Sequence, residues 1–184
     1  FRKAEDRQKA RSYIEEHQPK LVICSPMCTA FSTLQARSKW TVEKQRKLIE
    51  AKMHPKFMME IYAQQISKAR WFLHEHPESA SSWSLEEVKK VSEKEDVMIP
   101  VADLCMYGMK TWDKTGKLGA RARKRTKFMT NSKEIHLQAQ NKCHKGHEHQ
   151  HLVDGRAKWA ARYLPWLCNA VCAGLVSEIK MQSM

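Results

Sequence analysis

Two short apolar runs, Leu21-Val22-Ile23-Cys24 and Trp71-Phe72-Leu73, flank a long stretch whose apolar residues recur at three- and four-residue spacings. Strand-length runs on either side of a helix-length one are the pattern of a strand-helix-strand crossover, which pairs its strands in parallel and buries them. The helical stretch covers residues 42 to 69, with Met58, Ile61, Tyr62, Gln65 and Ile66 carrying the periodicity. His54-Pro55 is expected to break it near its middle, because proline has no N–H to give the preceding turn. A polar helix over residues 4 to 17 and the turn residue Pro19 precede the first run. A short helix capped near Ser84, a third strand at Val97-Met98-Ile99-Pro100 and a fourth at Phe128-Met129-Thr130 follow the second.

This alternation predicts an α/β sheet with helices on its faces. In such sheets the working residues sit in loops beyond the carboxyl ends of strands, here residues 25 to 32, residues 74 to 77 and the segment after Phe128. The 184 residues make one domain's worth of chain, and no apolar run approaches the 18 to 20 or so residues of a membrane span. Six cysteines are too few for a disulfide scaffold and fit a reducing, intracellular compartment, nuclear in a eukaryote and cytoplasmic otherwise. The opening at Phe1, in a charged helix without a signal segment, reads as an internal piece of a longer polypeptide.

Thirty-three Lys and Arg against twenty Asp and Glu leave a net charge of +13. That excess predicts an acidic partner, nucleic acid first, since each cation that neutralises a phosphate releases a counterion; a generally basic, solvated surface is the plainer alternative. The charge concentrates in residues 110 to 127, KTWDKTGKLGARARKRTK, expected to form an exposed loop feeding the last strand.

The first strand-end loop reads Cys24-Ser25-Pro26-Met27-Cys28-Thr29-Ala30-Phe31-Ser32. A cysteine on a Pro-containing turn at a strand end presents an accessible thiolate as a nucleophile, although a cysteine beside an apolar run also serves as packing. The second loop holds Glu75 between His74 and His76. A buried or half-buried carboxyl there can protonate or hydrogen-bond a heterocycle edge, or pair with one of the many basic side chains.

In this order the loops resemble the DNA cytosine-5 methyltransferases. Ser25, Pro26, Cys28, Phe31 and Ser32 match that family's nucleophile loop, Gly-Ser-Pro-Pro-Cys-Gln-x-Phe-Ser, and Glu75-His76-Pro77 is similar to its Glu-Asn-Val. Tyr107-Gly108 and Arg123-Lys124-Arg125-Thr126-Lys127-Phe128 are similar to its Tyr-Gly turn and Gln-x-Arg-x-Arg segment. The resemblance covers residues 19 to 130 and extends to methyltransferase-like segments in polyproteins of mobile elements. It implies a Rossmann-like methyltransferase-type sheet with flanking helices, a partial catalytic core over residues 1 to 135, and a separate Cys/His-rich and helical region over residues 136 to 184.

The resemblance also implies roles. Cys28 attacks C6 of a flipped-out cytosine, Glu75 binds N3 and the exocyclic amine, and Arg125 positions base and sugar-phosphate. Ser25, Pro26 and Ser32 line the loop against the nucleic acid, DNA in the first instance, while Arg121, Arg123, Lys124 and Lys127 meet phosphates. The methyl donor is S-adenosylmethionine.

Departures from the pattern are specific. Met27 replaces the proline before the nucleophile, Thr29 a glutamine and His76 an asparagine, while Arg123 and Lys127 stand where Gln and Arg are usual. Nothing like the family's Phe-x-Gly-x-Gly loop precedes Cys28, and its closing Gly-Asn-Ser-Val is missing. Either further polypeptide binds the methyl donor, or the chain is a non-catalytic, basic nucleic-acid-binding or structural module of a larger assembly, stabilised by zinc in one version.

Zinc enters through residues 141 to 151, NKCHKGHEHQH. Cys143, His147 and His149 supply three ligands, with His136 or Cys105 as candidates for a fourth, and a solvated His-rich loop is the alternative. A zinc deaminase is disfavoured, since His-x-Glu followed by Pro-Cys-x-x-Cys is absent. Cys168 and Cys172 have helical spacing and are expected in the core. Trp159, Tyr163 and Trp166 are expected to pack on the sheet or, interleaved with Arg156, Lys158 and Arg162, to face nucleic acid.

Overall fold

Thr41 stops the chain from entering a helix too early: its Oγ1 accepts the Lys44 N–H at 3.2 Å, satisfying one orphan donor of the helix that follows. That helix is the longest in a computed structural model describing residues 1, 3–33, 35, 39–113, 115–152 and 156–183, with only the backbone of residues 157–159. In chain order the elements are α1 (Ala4–His17), β1 (Leu21–Cys24), α2 (Val42–Ser67), β2 (Trp71–Pro77), α3 (Glu86–Ser92), β3 (Val101–Asp103), β4 (Lys110–Trp112), β5 (Leu118–Arg121), β6 (Arg125–Thr130), α4 (Lys133–Gln138) and α5 (Pro165–Gln182). Four strands form a sheet in the order β1-β2-β6-β3, and β4 and β5 form a separate hairpin. The β1 and β2 strands are parallel while β3 and β6 are antiparallel, so the fold is mixed α/β with a mixed sheet and flanking helices.

The chain divides into two compact units. The first comprises Phe1–Met98 with Met129–Asn131, the second Ile99–Phe128 with Ser132–Met184.

In the first unit, β1 and β2 pair from Leu21 opposite Trp71 to Cys24 opposite His74. Alternation along β2 puts Phe72, His74 and His76 on one face and Trp71, Leu73 and Glu75 on the other. The α2 helix covers the first of these faces: the Tyr62 ring stacks on Phe72 at 4.3 Å, and the Tyr62 hydroxyl meets His74 Nδ1 at 3.1 Å. Phe57, Met58, Met59, Ile61, Tyr62, Phe72, Val88, Val91 and Met129 form one buried cluster, with Val22 and Cys24 packed against it. Each large side chain removed from water there contributes about 1.5–3 kcal/mol. Asn131 extends the pairing with its side chain, its amide oxygen accepting the Phe72 N–H and its amide nitrogen donating to the Arg70 carbonyl, both at 3.0 Å.

In the second unit, α4 packs on α5 at Gly174. A Cβ there would stand 2.9 Å from the Ile135 backbone, so only glycine allows the approach. Glu178 of α5 accepts the Glu134 N–H at 2.9 Å and the Ser132 hydroxyl, while Ser132 Oγ accepts the Ile135 N–H at 3.1 Å. Two orphan donors of α4 are thus met, one by its own cap residue and one from α5.

Several expectations are corrected. The α2 helix runs unbroken through Pro55, which is buried within it; the hydrogen bond forfeited to Ala51 is offset by placing the ring in the core. The third strand lies at Val101–Asp103, with Met98 making only an isolated bridge to Thr130, because Pro100 has no N–H with which to extend the ladder. Residues 110–121 of the basic segment form a hairpin rather than a loop, and residues 125–127 already belong to β6: Asp113 Oδ1 accepts the N–H groups of Thr115 and Lys117 at 2.8 and 3.0 Å, and Gly116 adopts φ +84°, which closes the turn. Ser84 ends a 3₁₀ turn at Ser81–Ser84, and the cap of α3 is Leu85. Cys168 and Cys172 lie on α5 with the expected spacing but are exposed, as is Trp166 at 66%. The side chains of Lys158 and Trp159 lie outside the described residues.

Candidate functional site

The carboxyl end of β1 leads into an extended loop in which Ser25 is exposed and Pro26 buried. Cys28 then takes an αR conformation and caps a 3₁₀ turn at Thr29–Phe31, its carbonyl accepting the Phe31 N–H at 3.0 Å. The turn is seated by Phe31, which is 2% exposed, meets the His76 ring edge-on at 5.9 Å and accepts Ser81 Oγ on its carbonyl at 3.3 Å. Cys28 itself is exposed, whereas burial pushes the thiol of Cys24, one turn earlier, up to about 11.

Glu75 is not in a loop after β2 but within the strand, which runs on through His76 to Pro77. It is one residue past the last paired position, Cys24 opposite His74, and is buried. The neighbouring His74 is held far from its ordinary value, down to about 3, by burial and then by the charges of His76 and His54. Cys28, Glu75, Ser25, Pro26 and Ser32 all belong to the first unit; Arg121, Arg123, Lys124, Arg125 and Lys127 belong to the second.

Along that basic segment exposure alternates. Arg121, Arg123 and Arg125 are exposed, while Ala122, Thr126 and Phe128 are fully buried. Asp103, which pattern reading missed, organises it. Its Oδ1 accepts Arg123 Nε at 3.0 Å and its Oδ2 the Cys143 N–H at 2.9 Å. Burial raises the Asp103 carboxyl, but the Cys143 N–H and the Arg123 guanidinium outweigh it and hold the group below the usual carboxylate range. The only sequence signal for this residue is a lone acid ending a short apolar strand, just before Cys105.

The Cys/His tract comes together around one point. The thiol sulfurs of Cys105 and Cys143 and one ring nitrogen each of His147 and His149 lie within 4.8 Å of one another. Cys143 Sγ is 3.6 Å from His147 Nε2 and 3.5 Å from His149 Nε2, and Cys105 Sγ is 3.3 Å from His149 Nε2. Cys105, carried on the 3₁₀ turn Leu104–Tyr107, is the fourth member; His136 lies on α4 and is not in the cluster. The Lys145 N–H donates to Cys143 Sγ at 3.3 Å, a contact that steadies a thiolate. Four such groups can hold a metal ion.

The tract also bears on the basic segment through His147, whose Nδ1 lies 3.4 Å from an Arg121 nitrogen. Desolvation, followed by the charge of Arg121, keeps His147 below its ordinary value. Coordination through Nε2 would leave the ring proton on Nδ1, so the Arg121 contact and metal binding are alternatives for this ring.

No family model matches the chain, and no curated protein and no solved structure matches it. Among the described residues no helix is long and apolar enough to cross a membrane.

Proposed function

We propose that the chain is a nucleic-acid-binding domain of the DNA cytosine-5 methyltransferase type, in which Cys28 captures an extruded cytosine. The observation that carries this reading is the parallel register of β1 and β2. It brings the Cys28 loop and Glu75 to the carboxyl ends of adjacent strands, with Phe31 fixing the loop against His76. The Cys28 thiolate adds to C6 of the base, and the electron pair of the C5–C6 bond moves to C5. Glu75 holds N3 and the exocyclic amine, and the basic segment of the second unit grips phosphates.

The residues present do not form an adenosylmethionine site. The first glycine of the chain is Gly108, so no glycine-rich turn stands ahead of β1 to admit the donor. The chemistry of this chain therefore ends at the covalent adduct, and another polypeptide segment would have to hold the methyl donor.

A duplex carrying pyrimidin-2-one in place of one cytosine tests this, because its C6 accepts a thiolate without methyl transfer. The expected result is a denaturation-resistant adduct that disappears in Cys28→Ser. A folded protein that binds the duplex and forms no adduct would leave only the non-catalytic module.

The metal cluster has its own reading, zinc. An ion with Zn–S of about 2.3 Å and Zn–N of about 2.05 Å gives tetrahedral S–N edges of about 3.6 Å, and three of the four sulfur–nitrogen distances here run from 3.3 to 3.6 Å. Two sulfurs and two imidazoles suit zinc over harder cations, and Cys105, Cys143, His147 and His149 would hold the ion with four protein ligands, which would make it a cross-link rather than a catalyst.

A further inference from the structure

Three of the four metal-binding residues lie next to a bond that fixes the basic segment. Beside Cys105, the Leu104 N–H donates to the Lys124 carbonyl at 3.0 Å. Beside His149, the Gln150 N–H donates to the Arg121 carbonyl at 2.8 Å. Beside Cys143, its own N–H shares the Asp103 carboxylate with Arg123. The segment carrying Arg121 and Arg123 is thus held on its backbone, and through Asp103 on the Arg123 side chain, beside the residues a metal would draw together.

We propose that the Cys105–Cys143–His147–His149 centre is the support that sets Arg121 and Arg123 for phosphate contact, so that metal occupancy governs nucleic-acid affinity. This rests on the nucleic-acid reading above, and assigns the metal a part in it that the resemblance does not. Charge does not explain the effect. The loaded centre, Zn²⁺ with two thiolates and two neutral imidazoles, is formally uncharged, so it adds no cation of its own to attract phosphate. A change in affinity on metal removal therefore reports the placement of the arginines, with Asp103 as the positioning residue that transmits it.

The test measures binding of the full chain to a short mixed-sequence duplex by fluorescence anisotropy over a range of salt, zinc-loaded and after chelation. Chelation is expected to weaken binding by about tenfold or more, and to make the slope of log K against log salt shallower by about 2, one unit per lost phosphate contact. The Arg121→Gln/Arg123→Gln double variant is expected to bind weakly in both states, with the metal effect gone. An unchanged affinity in chelated wild-type protein overturns the proposal, as does a full metal effect in the double variant. If the zinc-loaded chain does not bind the duplex at all, the nucleic-acid reading itself fails. Should chelation unfold the protein, seen by circular dichroism, Asp103→Asn carries the test, since it keeps all four ligands. It is expected to hold zinc and bind severalfold more weakly, and wild-type affinity would count against the proposal.

Discussion

Cys105 and His149 stand 44 residues apart in sequence, and the sulfur of one lies 3.3 Å from Nε2 of the other. Without a bound ion this contact joins two weakly interacting groups. With one it closes a long loop, and closing a loop of that length removes several kcal/mol of unfolded-chain entropy. Metal analysis of protein purified without chelators is expected to find one zinc per chain. Cys143→Ala, which removes a ligand shared by two short contacts, should lose the ion and lower the melting temperature.

Thiol accessibility gives a second prediction. Cys28, Cys168 and Cys172 are exposed, Cys24 is half-buried and packed against the core, and Cys105 and Cys143 belong to the cluster. Brief alkylation of the native protein followed by peptide mass mapping should label the three exposed thiols and spare Cys24. Chelation should then open Cys105 and Cys143 to the reagent.

Acid sensitivity follows from His74. Its folded value, about 3, lies below the ordinary 6.5, so the unfolded chain binds more protons between these limits and stability rises with pH there. The contribution is complete above about pH 6.5 and is lost as pH falls toward about 3, on the order of a few kcal/mol in all. Thermal melts of wild type and His74→Gln from about pH 7 to about pH 4 should converge as the pH drops. A constant gap would show that His74 does not titrate in this way.

Gly174 supplies the fourth. A methyl group there meets the Ile135 backbone at 2.9 Å, and backbone cannot yield as a side-chain tip does. Although alanine favours helix by about 1 kcal/mol, Gly174→Ala should destabilise the protein by about 1–3 kcal/mol in denaturant melts, because α4 and α5 must separate.

The parts of the fold legible in sequence are those where local pattern and burial agree. Leu21–Cys24 and the start of β2 are apolar enough to be buried strands in any setting, and Met58, Ile61 and Tyr62 mark the face of α2. Pro55 misleads because its local cost is offset by packing that no window of sequence contains. Glu75 misleads by one structural state: a charged residue between histidines looks like a loop, yet β2 is buried on both faces through that point. The cluster was three-quarters legible, since Cys143, His147 and His149 are close in sequence. Choosing Cys105 over His136 required the pairing of β3 with β6 and the turn that follows it. Asp103 carries no motif at all, and its importance comes from two hydrogen bonds to residues 20 and 40 positions away.

The first unit leaves the chain at Met98 and takes it back for only three residues, Met129–Asn131. Those residues carry Thr130 Oγ1, which donates to the Phe72 carbonyl at 2.6 Å, and the Asn131 amide, which serves Phe72 and Arg70. A gene fragment ending at residue 98 would therefore expose an apolar strand edge, a template for aggregation. Excision of the first unit for use elsewhere would therefore have to supply a strand equivalent to residues 129 to 131 from some other source.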